Sequence, residues 1–295
     1  MTWACASTGQ GNNTKVAQNL PTPSAMSVSP VLGPQGPETA RYTIRHAIVG
    51  ELGQVALRLT PIAPQQNQPQ WQGEGSASGS FLGIGESSTF VSQFNSITGL
   101  STKWTIKRDI GSAVISDDCE QTEPGIVATH RIHSKKPENW QTLNAGAETT
   151  DPFGLLLRLR ISPPTSTATV MVLDGRALWK VTVQPPKAET ITVAGQQTAA
   201  LRFDLRSDPL DWQREPSKTR TTQHLTVWLA NTPIRTPLAL QAESPLGDVK
   251  IEVDIQDVSK ANRFWPVPDR PTSQLLSISD KDRWLEQKSI PLKQP

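Results

Sequence analysis

Short runs of alternating apolar and polar residues, separated by turn residues, dominate the middle of the sequence. At residues 201–206 the apolar side chains of Leu201, Phe203 and Leu205 alternate with charged ones, and residues 249–255 repeat the pattern. Successive side chains of a β-strand point to opposite faces, so this period of two predicts strands with one buried and one solvated face. The sequence therefore predicts a mainly β fold: a curved antiparallel sheet or half-barrel with one or two short helices packed on it.

Turn residues join several of these runs into predicted β-hairpins. A glycine-containing turn separates the runs at residues 42–45 and 55–59. Asp174-Gly175, a pair suited to a type I′ turn, follows residues 170–173 and precedes another alternating run. Further predicted strands lie at residues 104–107, 113–116, 126–132, 190–193, 225–229 and 238–240. This succession of hairpins predicts an antiparallel meander.

Two segments are expected to interrupt the meander. Residues 61–70 are rich in Pro and Gln and predict a loop, because Pro cannot donate a hydrogen bond to a β-ladder. Residues 87–95 predict a short helix, with Ser87 or Ser88 as its N-cap.

Residues 151–160, DPFGLLLRLR, predict the clearest helix. Asp151 is a candidate N-cap, and Pro152 occupies the favoured first helical position. The apolar face that follows consists of Phe153, Leu155, Leu156 and Leu159. Arg158 and Arg160 are expected on the solvated side or in ion pairs. Because an isolated ten-residue helix is marginal in water, its leucines are expected to pack on the sheet.

Composition changes at both ends of the alternating region. Residues 1–40 are rich in Ser, Thr, Gly, Asn, Gln and Pro, which predicts a disordered polar tether. Residues 41–258 predict a single β-rich domain. Residues 259–295 mix Pro, charged and apolar residues and predict an extended C-terminal arm.

The aromatic residues are unusual, with nine Trp and a single Tyr. Large aromatic side chains fill protein cores, and Trp is also enriched in binding hot spots. The candidate contacts with a ligand or partner are therefore Trp179, Trp228, Trp265 and Trp284, together with Arg158 and Arg160.

Charge argues against a broad surface for nucleic acid, and hydropathy argues against a membrane-spanning helix. The net charge of +2 is small for 295 residues, so no broad basic surface for nucleic acid is predicted. No stretch reaches the roughly 18–20 consecutive apolar residues of a membrane-spanning helix. A lipid anchor stays open as a route to a membrane.

Cys5 is the candidate for such an anchor. It lies in Trp3-Ala4-Cys5-Ala6-Ser7, where small residues flank the cysteine as they do at a bacterial lipoprotein acylation site. The polar tether that follows would hold a domain off a membrane surface. No charged segment and apolar segment of a signal peptide precede Cys5 in this chain, so lipidation is an expectation that rests on the local pattern.

No catalytic or metal-binding motif is recognisable in the sequence. His130 and His133 are three apart, which places them on opposite faces of a strand rather than together on a metal. Cys119 follows two aspartates, which raise rather than lower a thiol pKa. No cofactor, metal site or catalytic residue is predicted.

A family resemblance is carried by motifs that occur in a fixed order. These motifs are Asp151-Pro152-Phe153 with its helix, the Asp174-Gly175 hairpin, Val193-Ala194-Gly195, Val227-Trp228-Leu229-Ala230 and Leu246-Gly247-Asp248-Val249. Over residues 41–257 this order resembles the bacterial family called domain of unknown function 3108. The resemblance implies an exported protein with a curved half-barrel, like lipoproteins linked to capsule or exopolysaccharide export. The family has no assigned chemistry, so it implies no catalytic residue.

The function expected from these observations is binding rather than catalysis. The chain is predicted to be a non-enzymatic protein of the periplasm or outer membrane that binds a lipid or glycan, or docks on an envelope export complex. One alternative is an enzyme acting on a cell-envelope polysaccharide, for which Asp204, Asp248 and Asp254 are the available carboxylates. The other is a purely structural subunit of an envelope assembly, without an enclosed pocket.

Overall fold

A computed structural model describes residues 34, 36–65, 68–81, 84–175, 177–243 and 248–254. These residues form seventeen strands and one helix. In chain order the elements are β1 (Glu38–His46), β2 (Gly50–Gln65), β3 (Gln68–Phe81), β4 (Ile84–Asn95), β5 (Ser101–Ile110), β6 (Ala113–Glu123), β7 (Ile126–His133), β8 (Lys136–Pro137), β9 (Gln141–Asn144), β10 (Thr149–Thr150), α1 (Pro152–Ile161), β11 (Ala168–Asp174), β12 (Ala177–Val183), β13 (Lys187–Val193), β14 (Gln196–Leu210), β15 (Gln223–Ala230), β16 (Pro237–Ala242) and β17 (Val249–Val253).

The strands form one large sheet that is almost entirely antiparallel. Strands β1 to β7 pair in succession, and β9 returns along β7. A second meander runs from β14 to β17, and β17 pairs with β1 to join the two. The long strand β14 pairs with β13 along its first half and with β12 along its second half. Strand β10 adds a short parallel pairing to β11. No pairing joins β9 to β10 among the described strands, so the predicted class, an open antiparallel sheet with a packed helix, is confirmed.

The two faces of the sheet differ in chemistry. On β1, Tyr42 points to the apolar face, whereas Arg41 and Thr43 point to the opposite face. The same alternation continues on β2, where Leu57 and Leu59 lie on the apolar side. We call the apolar side, on which α1 lies, the helix-packed face, and the opposite side the outer face.

Helix α1 lies between two parts of the curved sheet. Leu155 and Leu159 pack in a cluster with Phe203 and other apolar residues of β11 to β15. On the other side of the helix, Leu157 is buried against Leu59 and Phe94. A helix with apolar side chains on two sides is stable when both sides are covered, and the curved sheet covers them. The prediction that the helix packs on the sheet is correct.

Close approach of the helix depends on a glycine in the sheet. A Cβ atom at Gly73 would lie 2.5 Å from the ring of Phe153, so only glycine leaves room for it. Phe153 then stacks between Phe90 and Phe94, with ring centroids 5.7 and 5.9 Å away. Aromatic pairs at this distance are favourable beyond the area they bury.

Distant strands meet where the tip of the β11–β12 hairpin contacts β5 and β6. Leu173 and Leu178 of the hairpin are buried with Trp104 and Cys119. The thiol of Cys119 lies 3.4 Å from the carbonyl oxygen of Gly175. These contacts hold the curvature of the sheet from the inside.

Several local predictions are wrong. Residues 87–95 are not a helix but belong to β4, which pairs with both β3 and β5. Residues 61–70 are not one loop, because β2 continues to Gln65 and β3 starts at Gln68. In both cases pairing with neighbouring strands outweighs the local signal. The first strand also begins at Glu38, before the expected domain start at residue 41.

The helix and its hairpin differ in detail from expectation. Leu157, absent from the predicted apolar face, is buried, whereas Leu156 is only half-buried. Asp174 is paired with Ala177 and is the last residue of β11, whereas the sequence predicts it as the first of the two central residues of the turn. Among the described residues one helix occurs, in agreement with the predicted one or two. It is too short and insufficiently apolar along its length to cross a membrane.

Candidate functional site

A polar cleft of about 760 Å³ opens where β1, β2 and β17 face the tip of the β13–β14 hairpin. The residues that line it most directly are Arg41, Thr43, Arg45, Gln54, Thr192, Ala194, Gly195, Glu252 and Asp254. The alternation of β1 places its cleft residues on the outer face. Thr192, Ala194 and Gly195 at the tip of the hairpin complete the lining.

Two arginines and two carboxylates line the cleft, and both carboxylates already have a partner. Glu252 is held by Lys250 at 2.6 Å, and Asp254 accepts a hydrogen bond from the Thr43 hydroxyl at 2.8 Å. Arg45 is exposed and lies directly across from Lys250 in the β1–β17 pairing. Within the described residues Arg45 makes no ion pair. The cleft therefore presents a guanidinium that an anionic ligand group could bind.

A smaller groove of about 250 Å³ lies beside the cleft, across β2, β3 and β4. Arg41 and Gln54 line both cavities, which joins them into one surface. The polar residues along the groove are Ser76, Ser78, Ser87, Ser88 and Thr89. The small side chains of β3 form part of the groove, which combines these hydroxyl groups with apolar surface from Val55, Ala56 and Ala77.

The buried carboxylate of Asp151, on the helix-packed face, makes its hydrogen bonds within the protein. Asp151 is completely buried and accepts hydrogen bonds from the backbone N–H groups of Phe153 and Gly154, at 2.6 and 2.9 Å. It also accepts from the hydroxyl of Ser92. Burial raises the pKa of the Asp151 carboxyl above its usual value, although these hydrogen bonds oppose the rise. The predicted N-cap is therefore an internal anchor for the helix.

A second buried carboxylate, Asp117, joins strands that are distant in sequence. Arg131 donates two hydrogen bonds to it, at 2.6 and 2.8 Å, and this contact raises the pKa of Arg131. Arg108 lies 3.7 Å from Asp117 and also pairs with Asp174 at the tip of the β11–β12 hairpin. The network fixes that hairpin against β5, β6 and β7.

Cys119 lies beside this network and is unreactive in character. Burial raises the pKa of its thiol far above the ordinary value, and Asp117 and Asp118 raise it further. The predicted direction of the shift is correct. A thiol in such surroundings stays protonated and serves as a small apolar side chain.

The two arginines proposed as contacts are both engaged within the protein. Arg158 pairs with Glu148 at 3.0 Å. Arg160 follows the second expectation, an ion pair: its side chain is 5% exposed and donates to both carboxylate oxygens of Glu38, at 2.7 and 2.9 Å. Glu38 is 122 residues away in the chain, and such a distant partner is not recognisable from the helix pattern.

The proposed tryptophan contacts lie in different environments. Trp228 donates from its indole N–H to Glu189, and its ring lies 6.0 Å from the ammonium of Lys250. Trp179 packs under the guanidinium of Arg220 at 5.3 Å. Of these, Trp228 is near the cleft through Lys250. Trp265, Trp284 and Cys5 lie outside the described residues.

The carboxylates considered for an enzyme each have a separate partner. Burial would raise the pKa of Asp204, but Arg202 at 2.7 Å and Lys187 at 3.4 Å lower it overall. Asp248 accepts a hydrogen bond from Gln241, and Asp254 accepts one from Thr43.

The histidine pair is divided between two environments. His130 stacks on the exposed Trp140 with ring centroids 5.0 Å apart, and His133 is exposed at the end of β7. Across the described part of the chain, no group of three or more His, Cys, Asp or Glu is placed to hold a metal ion.

Sequence reasoning missed the cleft itself. The alternation of Arg41, Thr43 and Arg45 with apolar residues was visible, but it indicated only a solvated strand face. The cleft forms because residues near 194 and 254 are brought beside β1, and no local signal reports that contact.

The curved sheet, its enclosed helix and the polar cleft define a class of mainly β proteins built on one large antiparallel sheet. Residues 122–254 match the model of the family described as protein of unknown function (DUF3108), which confirms the family resemblance. The match runs from the end of β6 through β17, a shorter span than the predicted 41–257.

Solved structures with a related arrangement are distant in sequence. A β-barrel-like protein of domain of unknown function DUF1849 from Brucella abortus is 9% identical, with a TM-score of 0.48 over 77% of this chain and 97% of that chain. A candidate exported protein with a YmcC-like fold from Bacteroides fragilis is 5% identical, with a TM-score of 0.33 over 77% and 97%. A candidate lipoprotein from Parabacteroides distasonis is also 5% identical, with a TM-score of 0.34 over 78% and 98%. No curated protein matches the chain.

Proposed function

We propose that this chain is a non-enzymatic cell-envelope protein that binds a ligand in the polar cleft of its outer face. The observation that carries the proposal is the cleft of about 760 Å³, with exposed Arg45 beside carboxylates that already have partners. Ligand sites are usually concave surfaces in which a few polar groups converge beside apolar surface.

The helix-packed face is a poor place for a lipid. Apolar side chains of α1 already cover it, with Leu155 and Leu159 on one side and Leu157 on the other. A lipid would have to displace the helix, whose N-terminus is fixed by Asp151. Of the two ligand classes expected from the sequence, a glycan therefore suits the outer cleft better than a lipid.

We also propose that the protein has no catalytic activity of its own. Asp204 and Asp254 are held by neighbouring side chains and do not converge on a common cleft. Glycoside hydrolysis needs two carboxyl groups about 5–10 Å apart across the substrate. Glu252 and Asp254 both line the cleft, two positions apart in the chain, but Glu252 is paired with Lys250 and Asp254 accepts from Thr43, so we propose that they orient neighbouring side chains rather than act as an acid and a base.

The periplasm or outer membrane is the proposed location, in line with the family resemblance. Lipidation at Cys5 would explain a tether of polar residues before the sheet. If it occurs, Cys5→Ser in the full-length precursor releases the protein from the membrane fraction. Unchanged fractionation of the variant would rule out this anchor.

Native mass spectrometry of the protein purified from its own host tests the binding role. Gln54 is exposed and lines both cavities, so Gln54→Trp should block them. Gln223→Trp is the matched control, because Gln223 is also exposed but lies on β15. We expect a co-purifying molecule on the wild type and the control but not on Gln54→Trp. A molecule retained by Gln54→Trp, or none on any form, would contradict the proposal.

A further inference from the structure

We infer that the ligand is an extended, acidic, hydroxyl-rich chain, of the chemical class of a uronic-acid polysaccharide. The inference rests on the proposed function and names the ligand class for the same cleft. Its starting point is that Arg41 and Gln54 line both cavities, so that cleft and groove form one path.

The length of this path selects an extended ligand. It crosses β17, β1, β2, β3 and β4, which are adjacent in the sheet. Neighbouring strands lie about 4.8 Å apart, so the path is on the order of 20 Å long. A compact ion would contact one end only, whereas a linear chain can contact every strand.

The charge of the path selects an acidic ligand. Two arginines, Arg41 and Arg45, line the path together with two carboxylates, Glu252 near the end of β17 and Asp254 just after it. Those two carboxylates already accept from Lys250 and Thr43. Arg45 remains for a carboxylate of the ligand, because planar guanidinium and carboxylate groups match in two parallel hydrogen bonds.

The remaining side chains select a hydroxylated ligand. Gln54 provides both an amide donor and an amide acceptor. Along the groove, Ser76, Ser78, Ser87 and Thr89 offer hydroxyl groups that both donate and accept. Large apolar side chains are absent from the described lining of this groove. The apolar surface of the groove comes from small side chains, Val55, Ala56 and Ala77, which suit the C–H faces of a sugar ring better than a long acyl chain.

Calorimetric titration of the full chain with polygalacturonate tests the inference. Dextran serves as the neutral polymer, galacturonate as the single acidic unit, and phosphatidylglycerol vesicles as the lipid source of anions. We expect saturable binding to polygalacturonate that weakens with added salt, binding to galacturonate at least about tenfold weaker, and no binding to dextran or vesicles.

The residues are tested by two charge reversals. Arg45→Glu should weaken polygalacturonate binding by at least about tenfold, because it replaces an ion pair with repulsion. Arg206→Glu should leave binding unchanged, since the exposed Arg206 pairs with Asp208 away from the cleft.

Failure of this inference is distinguishable from failure of the proposed function. Equal binding of dextran, preference for vesicles, or no loss in Arg45→Glu would overturn the acidic-chain assignment. Absence of binding to polygalacturonate would overturn it as well. The host-derived molecule and its loss in Gln54→Trp would still support the cleft as a binding site.

Discussion

The two faces of the sheet use charged residues in opposite ways. On the helix-packed face, Asp117 and Asp151 are fully buried, and every contact they make is to the protein. On the outer face, Arg45 is exposed beside a cleft in which the carboxylates already have partners. Burial without partners would be costly, so internal charges specify the packing, whereas an exposed charge without a partner is available for binding.

This comparison predicts that substitutions of internal residues change the stability of the fold, whereas substitutions on the outer face change ligand binding. The largest effect is expected at the centre of α1. Leu157→Asp places a charge among the buried side chains of Leu59 and Phe94. We expect this variant to lose the cooperative thermal transition, which circular dichroism measures. Leu156→Asp is the control, since Leu156 is half-buried, and it should retain a transition at lower temperature. A native transition in Leu157→Asp would show that α1 is not enclosed.

The next effect concerns the Asp117 network. Asp117→Ala removes the carboxylate that receives both hydrogen bonds of Arg131, and we expect the free energy of unfolding to fall by about 3 kcal/mol. Asp109→Ala, which removes an exposed pair with Lys107, should cost less than about 1 kcal/mol. Urea denaturation measures both variants. Equal costs would mean that the buried network does not hold the β11–β12 hairpin.

A smaller, pH-dependent effect is expected at Asp151. Its pKa is raised in the folded state, so the folded protein holds the proton more tightly than the unfolded chain. The resulting stability is present below the unfolded pKa and is lost as pH rises toward the folded pKa, with a slope of at most about 1.4 kcal/mol per pH unit. Asp151→Asn should flatten this dependence while still capping Phe153 and Gly154.

Urea denaturation between pH 4 and pH 8 measures the Asp151 effect. Asp151→Ala loses the cap and should cost about 1–2 kcal/mol relative to Asp151→Asn. A wild-type contribution that grows with pH would reverse the sign of the prediction.

The smallest stability effects are expected on the outer face. Arg45→Ala and Gln54→Ala remove exposed side chains and should change the free energy of unfolding by no more than about 0.5 kcal/mol. Binding should nevertheless weaken in both. A large loss of stability would mean that the cleft residues are structural and would remove the contrast between the faces.

Local patterns predicted much of the fold but little of the site. The hairpins and the capped helix follow from alternation and from Asp151, whose contacts reach only to Phe153 and Gly154. The local pattern of residues 87–95 predicts a helix because Ser87 resembles a cap, whereas the contacts that decide their structure are with two neighbouring strands. The partner of Arg160 is 122 residues away. Contacts of this kind arise from tertiary packing, which a periodic pattern does not encode.

The central claim is that ligand binding occurs on the outer face while α1 serves only the fold. Hydrogen exchange of the host-purified protein, before and after removal of its ligand, tests this most directly. The account predicts that peptides from β1 (Glu38–His46) and β17 (Val249–Val253) lose protection on ligand removal, while α1 (Pro152–Ile161) does not change. Loss of protection confined to α1, with β1 and β17 unchanged, would contradict it.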